Sequence, residues 1–540
     1  MSLPANLAAL VVAIVACGVP AAPRSAAKSA ATPTPEPDAA ARWWAHVAYL
    51  ADDAMRGRET GSPEHRRAAE YVAEQFARAG LDPAGTAGFL QAVPLRSRTI
   101  IEARSRLALV RDGVARPVAL GDAAYFDMRV EPRAAVEAPL VFAGHGLVIP
   151  EYGLDDFAGL DVTGKIVVFL YGSPEGLPSA LAAHHQSPAV RWRTVQARGG
   201  LGLIVLLNPS HLEVPWERAA ANRLLPAMAL AAPDSDDTAG AALAIVVNPA
   251  HSEPLFAGSG HSFAEILADA AAARPLPRFA LPSTLVAEVA FESQPVESHN
   301  VLGLVRGSDP EHADEYVVLT AHLDHLGVGA PVDGDAIYNG AMDNATGVAT
   351  LVEAARFVAS RRPRRSVLFA AVTAEEKGML GSRHLARDPT VPRAGVVADI
   401  NMDMFLPLFP LRQLMVLGLD ESDLGDDVRA VAAAAGVTVQ SDPEPQRNRF
   451  IRGDQYSFIR EGVPAVALKI GYDAGSPEAR LAADWSRERY HGPTDDLAQP
   501  IDRDAAVRFT DLVARLCVQV ADRDARPKWR DDSFFRRFAR

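Results

Sequence analysis

The sequence predicts an α/β fold: a mixed, mostly parallel sheet flanked by helices, interrupted by a second, strand-rich domain. Three observations carry this. From about residue 283 to 522, apolar runs of strand length alternate with helical segments, the pattern of a sheet covered by helices on both faces. From about residue 137 to 250, short apolar runs recur between turn residues such as Gly144, Gly153, Gly172 and Pro209, which reads as strands. Finally, acidic and histidine side chains fall just past the ends of three predicted strands.

Taken in chain order, Leu7 to Ala16 reads LAALVVAIVA, an apolar stretch of signal-peptide length that is too short to span a bilayer. Ile14-Val15-Ala16-Cys17-Gly18 resembles a bacterial lipoprotein cleavage site, with Cys17 as the lipidated residue. Residues 1–17 are therefore read as an export signal. The expected location is periplasmic, secreted or anchored to a membrane by a lipid at Cys17. Residues 18–41 are rich in Ala, Pro, Ser and Thr and read as a flexible tether.

Residues 42–100 are assigned to the first part of the main domain, with a helix from Pro63 to Ala79 stopped by Gly80. Residues 101–282 form the inserted domain, with strands at Pro139–Ala143, Lys165–Leu170, Leu203–Leu207, Ala227–Leu230 and Leu243–Val247. Residues 283–525 return to the main domain. Tyr316–Thr320, Ser366–Val372, Val396–Asn401 and Ala465–Ile470 read as buried strands, and Gly347–Ala359 and Ala505–Val520 as helices. Residues 526–540 are left as a tail.

Composition narrows the function. Of 540 residues, 49% are apolar and 22% charged, an ordinary globular balance. The net charge of −13 argues against a nucleic-acid partner, which requires a basic surface. Beyond the leader the apolar runs are strand-sized, so no transmembrane span is expected. The two cysteines, Cys17 and Cys517, cannot build a thiolate zinc site. Any metal here must use His, Asp and Glu.

Those residues are placed suggestively. His322 and Asp324 follow the run YVVLT, Glu375 and Glu376 follow SVLFAAVTA, and Asp403 follows GVVADINM. In open α/β sheets, ligands bind beyond the carboxyl ends of strands. One such residue would be an ordinary cap or surface group; three strands delivering His, Glu and Asp to one edge point to a metal site. Between them lies Asn339-Gly340-Ala341-Met342-Asp343-Asn344-Ala345-Thr346-Gly347. Its small residues let the backbone approach closely, so Asp343 can reach the cleft; a plain helix N-cap is the competing reading of Asp343.

The segments AHLDHLG, YNGAMDNATGVATL, TAEEKGMLGS, INMDM and RYHGPTDD, in that order over roughly residues 298 to 500, resemble the co-catalytic zinc aminopeptidase family, which also holds glutamate carboxypeptidase, glutaminyl cyclase and the transferrin receptor. Residues 50 to 85 resemble the family's opening segment. YGLDDFAGLDVTGKIVVFLYG, ARGGLGLIVLLN and LLPAMAL resemble the protease-associated domain inserted in some members, which would make it a lid or shape filter.

The resemblance implies an α/β/α zinc-peptidase sandwich acting on peptides, with two zinc ions bridged by Asp343. One ion would also take His322 and Asp403, the other Glu376 and His491. Glu375 would be the general base, and Asp324 would orient the His322 ring. The resemblance further implies a cis peptide bond after Asp343. Among the other polar residues, His325, His384 and His299 are read as structural, and Tyr456 is a candidate to stabilise an oxyanion.

Three other functions follow from the same resemblance. A binding or receptor relative would have lost ligands, and a glutaminyl cyclase would use one zinc; all five ligands and the base are present by type. A carboxypeptidase of the glutamate carboxypeptidase type would need a cationic pocket, for which Arg447, Arg449 and Arg452 are the candidates, with surface charge as their plainer reading.

Overall fold

A computed structural model describes residues 39–539, apart from 213, 233 and 234. The signal and Cys17, and the tether up to residue 38, lie outside the described residues. The tether is shorter than its composition suggests, because its last residues, 39–41, already open the helix Ala39–Leu50. Trp43, Val47 and Leu50 on one face of that helix are buried in the main core.

Two sheets organise the chain. The larger has ten strands. Four of them are parallel neighbours, in the order Ser366–Val372, Tyr316–His322, Val396–Asn401 and Ala465–Ile470. Antiparallel strands extend both edges: Phe291–Val305 and Leu90–Ile100 on one side, Gln413–Leu417 on the other. The central strands are apolar at nearly every position because both faces are covered. Side chains alternate across a strand. Thus Val317, Leu319 and Ala321 enter one core, and Val318 enters the other; Val367, Phe369 and Ala371 likewise separate from Leu368, Ala370 and Val372.

The helices that cover the first face include Ala39–Leu50, Pro63–Arg78, Thr346–Arg361, Leu424–Ala434 and Arg503–Ala521. Ser62 caps the second by accepting from the His65 amide, with Pro63 at the first helical position. Asp502 caps the last in the same way. Phe509 on that helix stacks on Phe405 with centroids 4.1 Å apart. The second face carries Leu380–Arg387 and Gln455–Arg460. It is also covered by the segment expected to be a free tail: Phe535 is fully buried beside Trp529, Phe450 and Tyr456. Three phenylalanines within FFRRF supply more apolar area than a solvated tail would expose.

The second sheet has eight strands drawn from residues 106–288. Its middle strands, Ala135–Ala143, Ile166–Leu170, Gly202–Leu206 and Ala244–Val247, run parallel. Two features differ from the expected boundaries. The strand Arg278–Glu288 belongs to this sheet and runs past residue 282. Ala227–Leu230, expected inside the insert's own sheet, pairs antiparallel with Leu90–Ile100 and so extends the larger sheet. The long strand Leu90–Ile100 would otherwise present an unpaired edge. No helix among the described residues is long and apolar enough to cross a membrane.

Candidate metal centre

The parallel strands end together, and their polar residues meet there. The strand Tyr316–His322 delivers His322, with Asp324 and His325 just beyond; Ser366–Val372 leads through Thr373 and Ala374 to Glu375 and Glu376; Val396–Asn401 leads to Asp403. Asp343 arrives from the irregular turn Ala341–Ala345, which opens the helix Thr346–Arg361. That turn needs Gly340: its φ is +63°, and a β-carbon there would lie 2.3 Å from the Asp343 carbonyl oxygen. The peptide bond between Asp343 and Asn344 is cis.

Two buried groups fix this turn. The Arg58 guanidinium donates to the main-chain oxygens of Leu323, Leu50, Asn339 and Gly340, tying the His322 strand end to the Asp343 turn. Burial pulls its pKa down to about 10, although the carboxylates of Asp495, Asp324, Asp343 and Glu376 oppose the fall. Asp495 accepts from the amides of Met342 at 2.8 Å and Asp343 at 3.0 Å. It therefore staples the loop carrying His491 to the turn carrying Asp343.

At the centre, the two carboxylate oxygens of Asp343 face different partners. His322 Nε2 lies 3.1 Å from Asp343 Oδ1 and 3.3 Å from Asp403 Oδ1. His491 Nε2 lies 3.4 Å from Asp343 Oδ2 and 3.1 Å from Glu376 Oε2. Donor atoms sharing one tetrahedral zinc ion at roughly 2.0–2.1 Å stand about 3.3 Å apart, so both sets fit a metal with Asp343 between them. His322, Asp343 and Asp403 form one group able to hold a cation, and His325, Asp343 and Glu376 form another.

The electrostatics agree. Burial alone would raise the Asp343 carboxyl, yet hydrogen bonds from His322 and His491 hold it well below the usual carboxylate range. Burial likewise opposes the Glu376 shift, but His491 brings it down to about 2. Burial disfavours charge on His491, and Glu376 and Asp343 overcome it, taking the ring up to about 10. His322 is also raised well above its ordinary value, by bonds to Asp343 and Asp403 against the cost of burial. Imidazoles drawn to protons this strongly are surrounded by negative charge; a divalent cation would displace those protons. Glu375 behaves oppositely. Burial, then the nearby Asp403, Asp454 and Glu376, push it well above the carboxylate range, with His322 opposing.

The structure therefore brings His322, Asp343, Glu375, Glu376, Asp403 and His491 together. Asp324 takes part differently from the expectation. His322 Nδ1 meets its main-chain oxygen at 3.1 Å. The Asp324 carboxylate instead accepts from Thr60 Oγ1 at 2.9 Å and the Glu375 amide at 3.1 Å. Tyr456 is not at the centre's mouth; its hydroxyl is 2.9 Å from His184 Nδ1 in the aromatic cluster. Arg449 pairs with Asp442 and Glu444, and Arg447 pairs with Glu444. Arg449 and Arg452 line a cavity beside the centre, together with Asp403, Lys469 and Tyr490.

One residue read as structural stands inside the cluster. His325 is fully buried, and its Nδ1 is 2.7 Å from Glu376 Oε1. The available signal was its place in AHLDHLG, three residues after His322 at the same strand end.

The second sheet's segments reach this region. A cleft of about 180 Å³ is lined by Glu376, Lys377 and His491 on one side and by Tyr125, Met128 and Leu225 on the other. Arg218 Nη1 donates to the Tyr490 carbonyl at 3.0 Å.

Known proteins share features of this arrangement. The model described as "Peptidase family M28" matches residues 300–517, which contain every ligand candidate named above. The chain is 37% identical over 188 residues to a probable zinc metalloprotease of Leptosphaeria maculans, covering 35% of this chain and 36% of that one. It is 25% identical over 245 residues to aminopeptidase YwaD of Bacillus subtilis, covering 44% and 48% respectively. A probable glutamate carboxypeptidase AMP1 of Arabidopsis thaliana is 30% identical over 213 residues, 36% of this chain and 28% of that one. The chain thus spans from about a quarter to about a third of the length of the first curated relatives it matches. Among solved structures, an aminopeptidase from Aneurinibacillus sp. strain AM-1 superposes with a TM-score of 0.54 at 19% identity, covering 89% of this chain and 94% of that one; this likeness is one of fold. Over residues 300–517, which bring these side chains together, the chain is similar to peptidase family M28.

Proposed function

We propose that the protein is an exported two-zinc aminopeptidase that removes residues from free peptide N-termini. The observation that supports it most is the division of Asp343, with one oxygen toward His322 and Asp403 and the other toward His491 and Glu376. A single carboxylate shared by two donor sets suits two ions, since a bridging anion offsets their mutual repulsion. The names of two relatives, a zinc metalloprotease and an aminopeptidase, agree with the reading.

Zinc bound in these positions would act as a Lewis acid on the scissile carbonyl and would make water a stronger nucleophile at neutral pH. The chain's own residues do the rest. Glu375, adjacent to the ligand Glu376 but not used as one, takes a proton from the attacking water and returns it to the leaving amine. The Asp324 carboxylate holds the Glu375 main chain by accepting from its amide at 3.1 Å, and Asp324 presents its own carbonyl to His322. Lys469 donates to the carbonyls of Asp403 and Met404, steadying the third strand's ligand. The stretch from about 101 to 288 serves as a protease-associated cap, with Tyr125, Met128 and Leu225 narrowing the cleft over Glu376 and His491. Such a cap favours short peptides over folded proteins.

The test is direct. Aminoacyl anilides and short peptides with a free amine should be cleaved, and their acetylated forms should not, because a terminal-amine site leaves its acceptors unpaired when a blocked substrate binds. Equal rates on both forms would remove the aminopeptidase reading, while release of C-terminal residues would favour a carboxypeptidase instead.

Export rests on the leader Leu7–Ala16 and Cys17. The mass of the mature chain should show an N-terminus at or near Cys17, with added acyl mass if it is lipidated. A chain retaining residue 1 would contradict export by this signal.

A further inference from the structure

Distances around the second donor set separate two roles that histidine can play beside a metal. Pairs of atoms sharing one tetrahedral zinc ion stand about 3.3 Å apart. The four contacts that His322 and His491 make with carboxylates are between 3.1 and 3.4 Å. His325 does not follow that pattern. Its Nδ1 is 2.7 Å from Glu376 Oε1 and 3.9 Å from Asp343 Oδ2. The first distance is that of a short N–H···O⁻ hydrogen bond. The second is too long for a companion ligand of Asp343.

The ring has little freedom to do otherwise. His325 is fully buried, and a β-carbon on Gly340 would lie 2.5 Å from its Cγ, so the turn backbone closes against the ring. The His325 amide also donates to the Arg58 carbonyl at 3.3 Å. Its Nε2 is buried with no hydrogen-bond partner. An ionised carboxylate oxygen only accepts, so the 2.7 Å contact needs a proton on Nδ1; a proton on Nε2 instead would bury an unpaired donor and set two lone pairs against each other. The proton therefore belongs on Nδ1, facing Glu376. This occupies Glu376 Oε1 and leaves Oε2 on the side of His491.

We propose that His325 is a positioning residue for the second metal. Its Nδ1–H bond fixes Glu376 as a one-oxygen ligand aimed at the ion shared with His491 and Asp343, and it is not itself a ligand. This rests on the two-metal reading of the centre. It also explains why two histidines crowd one carboxylate: His491 competes with nothing, since His325 uses the other oxygen.

The test is metal binding, with no turnover involved. Metal-free wild type, His325→Ala and His325→Asn are titrated with Co(II), followed by visible absorption. His325→Leu, which keeps volume and has no donor, replaces the alanine variant if that does not fold. Thermal unfolding of each metal-free chain reports folding. Wild type should bind two ions. The alanine or leucine variant should weaken one of the two steps by about 10- to 100-fold, the range for removing a partner of a metal ligand, and leave the other within about threefold. His325→Asn, whose amide nitrogen falls near the place of Nδ1, should recover most of the loss. Unchanged affinities in the variants without a donor would overturn the positioning role. Complete loss of one ion without rescue by asparagine would make His325 a ligand instead. Equal weakening of both steps would reduce it to general packing. A wild type that binds one ion would remove the two-metal reading itself, a failure visible before any variant is compared.

Discussion

Replacing Glu375 by glutamine should leave both metals in place and remove at least a hundredfold of the turnover. The expectation rests on what Glu375 is not bound to. The Glu376 carboxylate is held by His491 and His325, whereas Glu375 is held through its main chain, its amide donating to Asp324 and its carbonyl accepting from Gly378 and Met379. Its side chain lies in the fields of His322 and Asp403, close to one donor set. Glutamine keeps the size and loses only the ability to accept a proton and return it. General base catalysis contributes about 10²–10⁴-fold, so kcat should fall by that factor with little change in KM. Single-turnover rates and metal content measured on one preparation check this. Loss of metal from the variant would mean that Glu375 and Glu376 have been assigned each other's roles.

Much of this site is legible in the sequence because its parts are local. Each central strand announces itself as an unbroken apolar run, since both its faces are buried, and the candidate ligands follow within a few residues. Val396–Asn401, Ala465–Ile470 and Ser366–Val372 coincide with the expected strands. What the sequence hides is non-local. Ala227–Leu230 is recognisable as a strand, but nothing in four apolar residues tells which sheet edge they close; the partner, Leu90–Ile100, is more than a hundred residues away. The seat of Phe535 among Phe450 and Trp529 is equally invisible until the helices of that face are packed.

His325 and Asp324 show a finer limit. Both lie past the last strand residue, where the alternation of side chains no longer applies. There, the turn decides whether a carboxylate or a carbonyl meets His322, and whether a histidine faces the core or the candidate site. Gly340 and Arg58 set that turn from elsewhere in the chain.

The account depends most on Asp343 serving two ions at once. Asp343→Ala removes the carboxylate placed between the two histidine sets, and each set is then left with two side chains: His322 with Asp403, and His491 with Glu376. Two ligands rarely hold zinc, and two neighbouring cations without a bridging anion repel each other. The variant should therefore lose both metals and nearly all activity, a fall of more than a thousandfold. It should still fold, since Arg58 grips the turn through main-chain oxygens. The direct measurement is elemental analysis of wild type and Asp343→Ala after dialysis against metal-free buffer: two zinc ions per wild-type chain and none in the variant are predicted, and a variant that retains two would contradict the bridge.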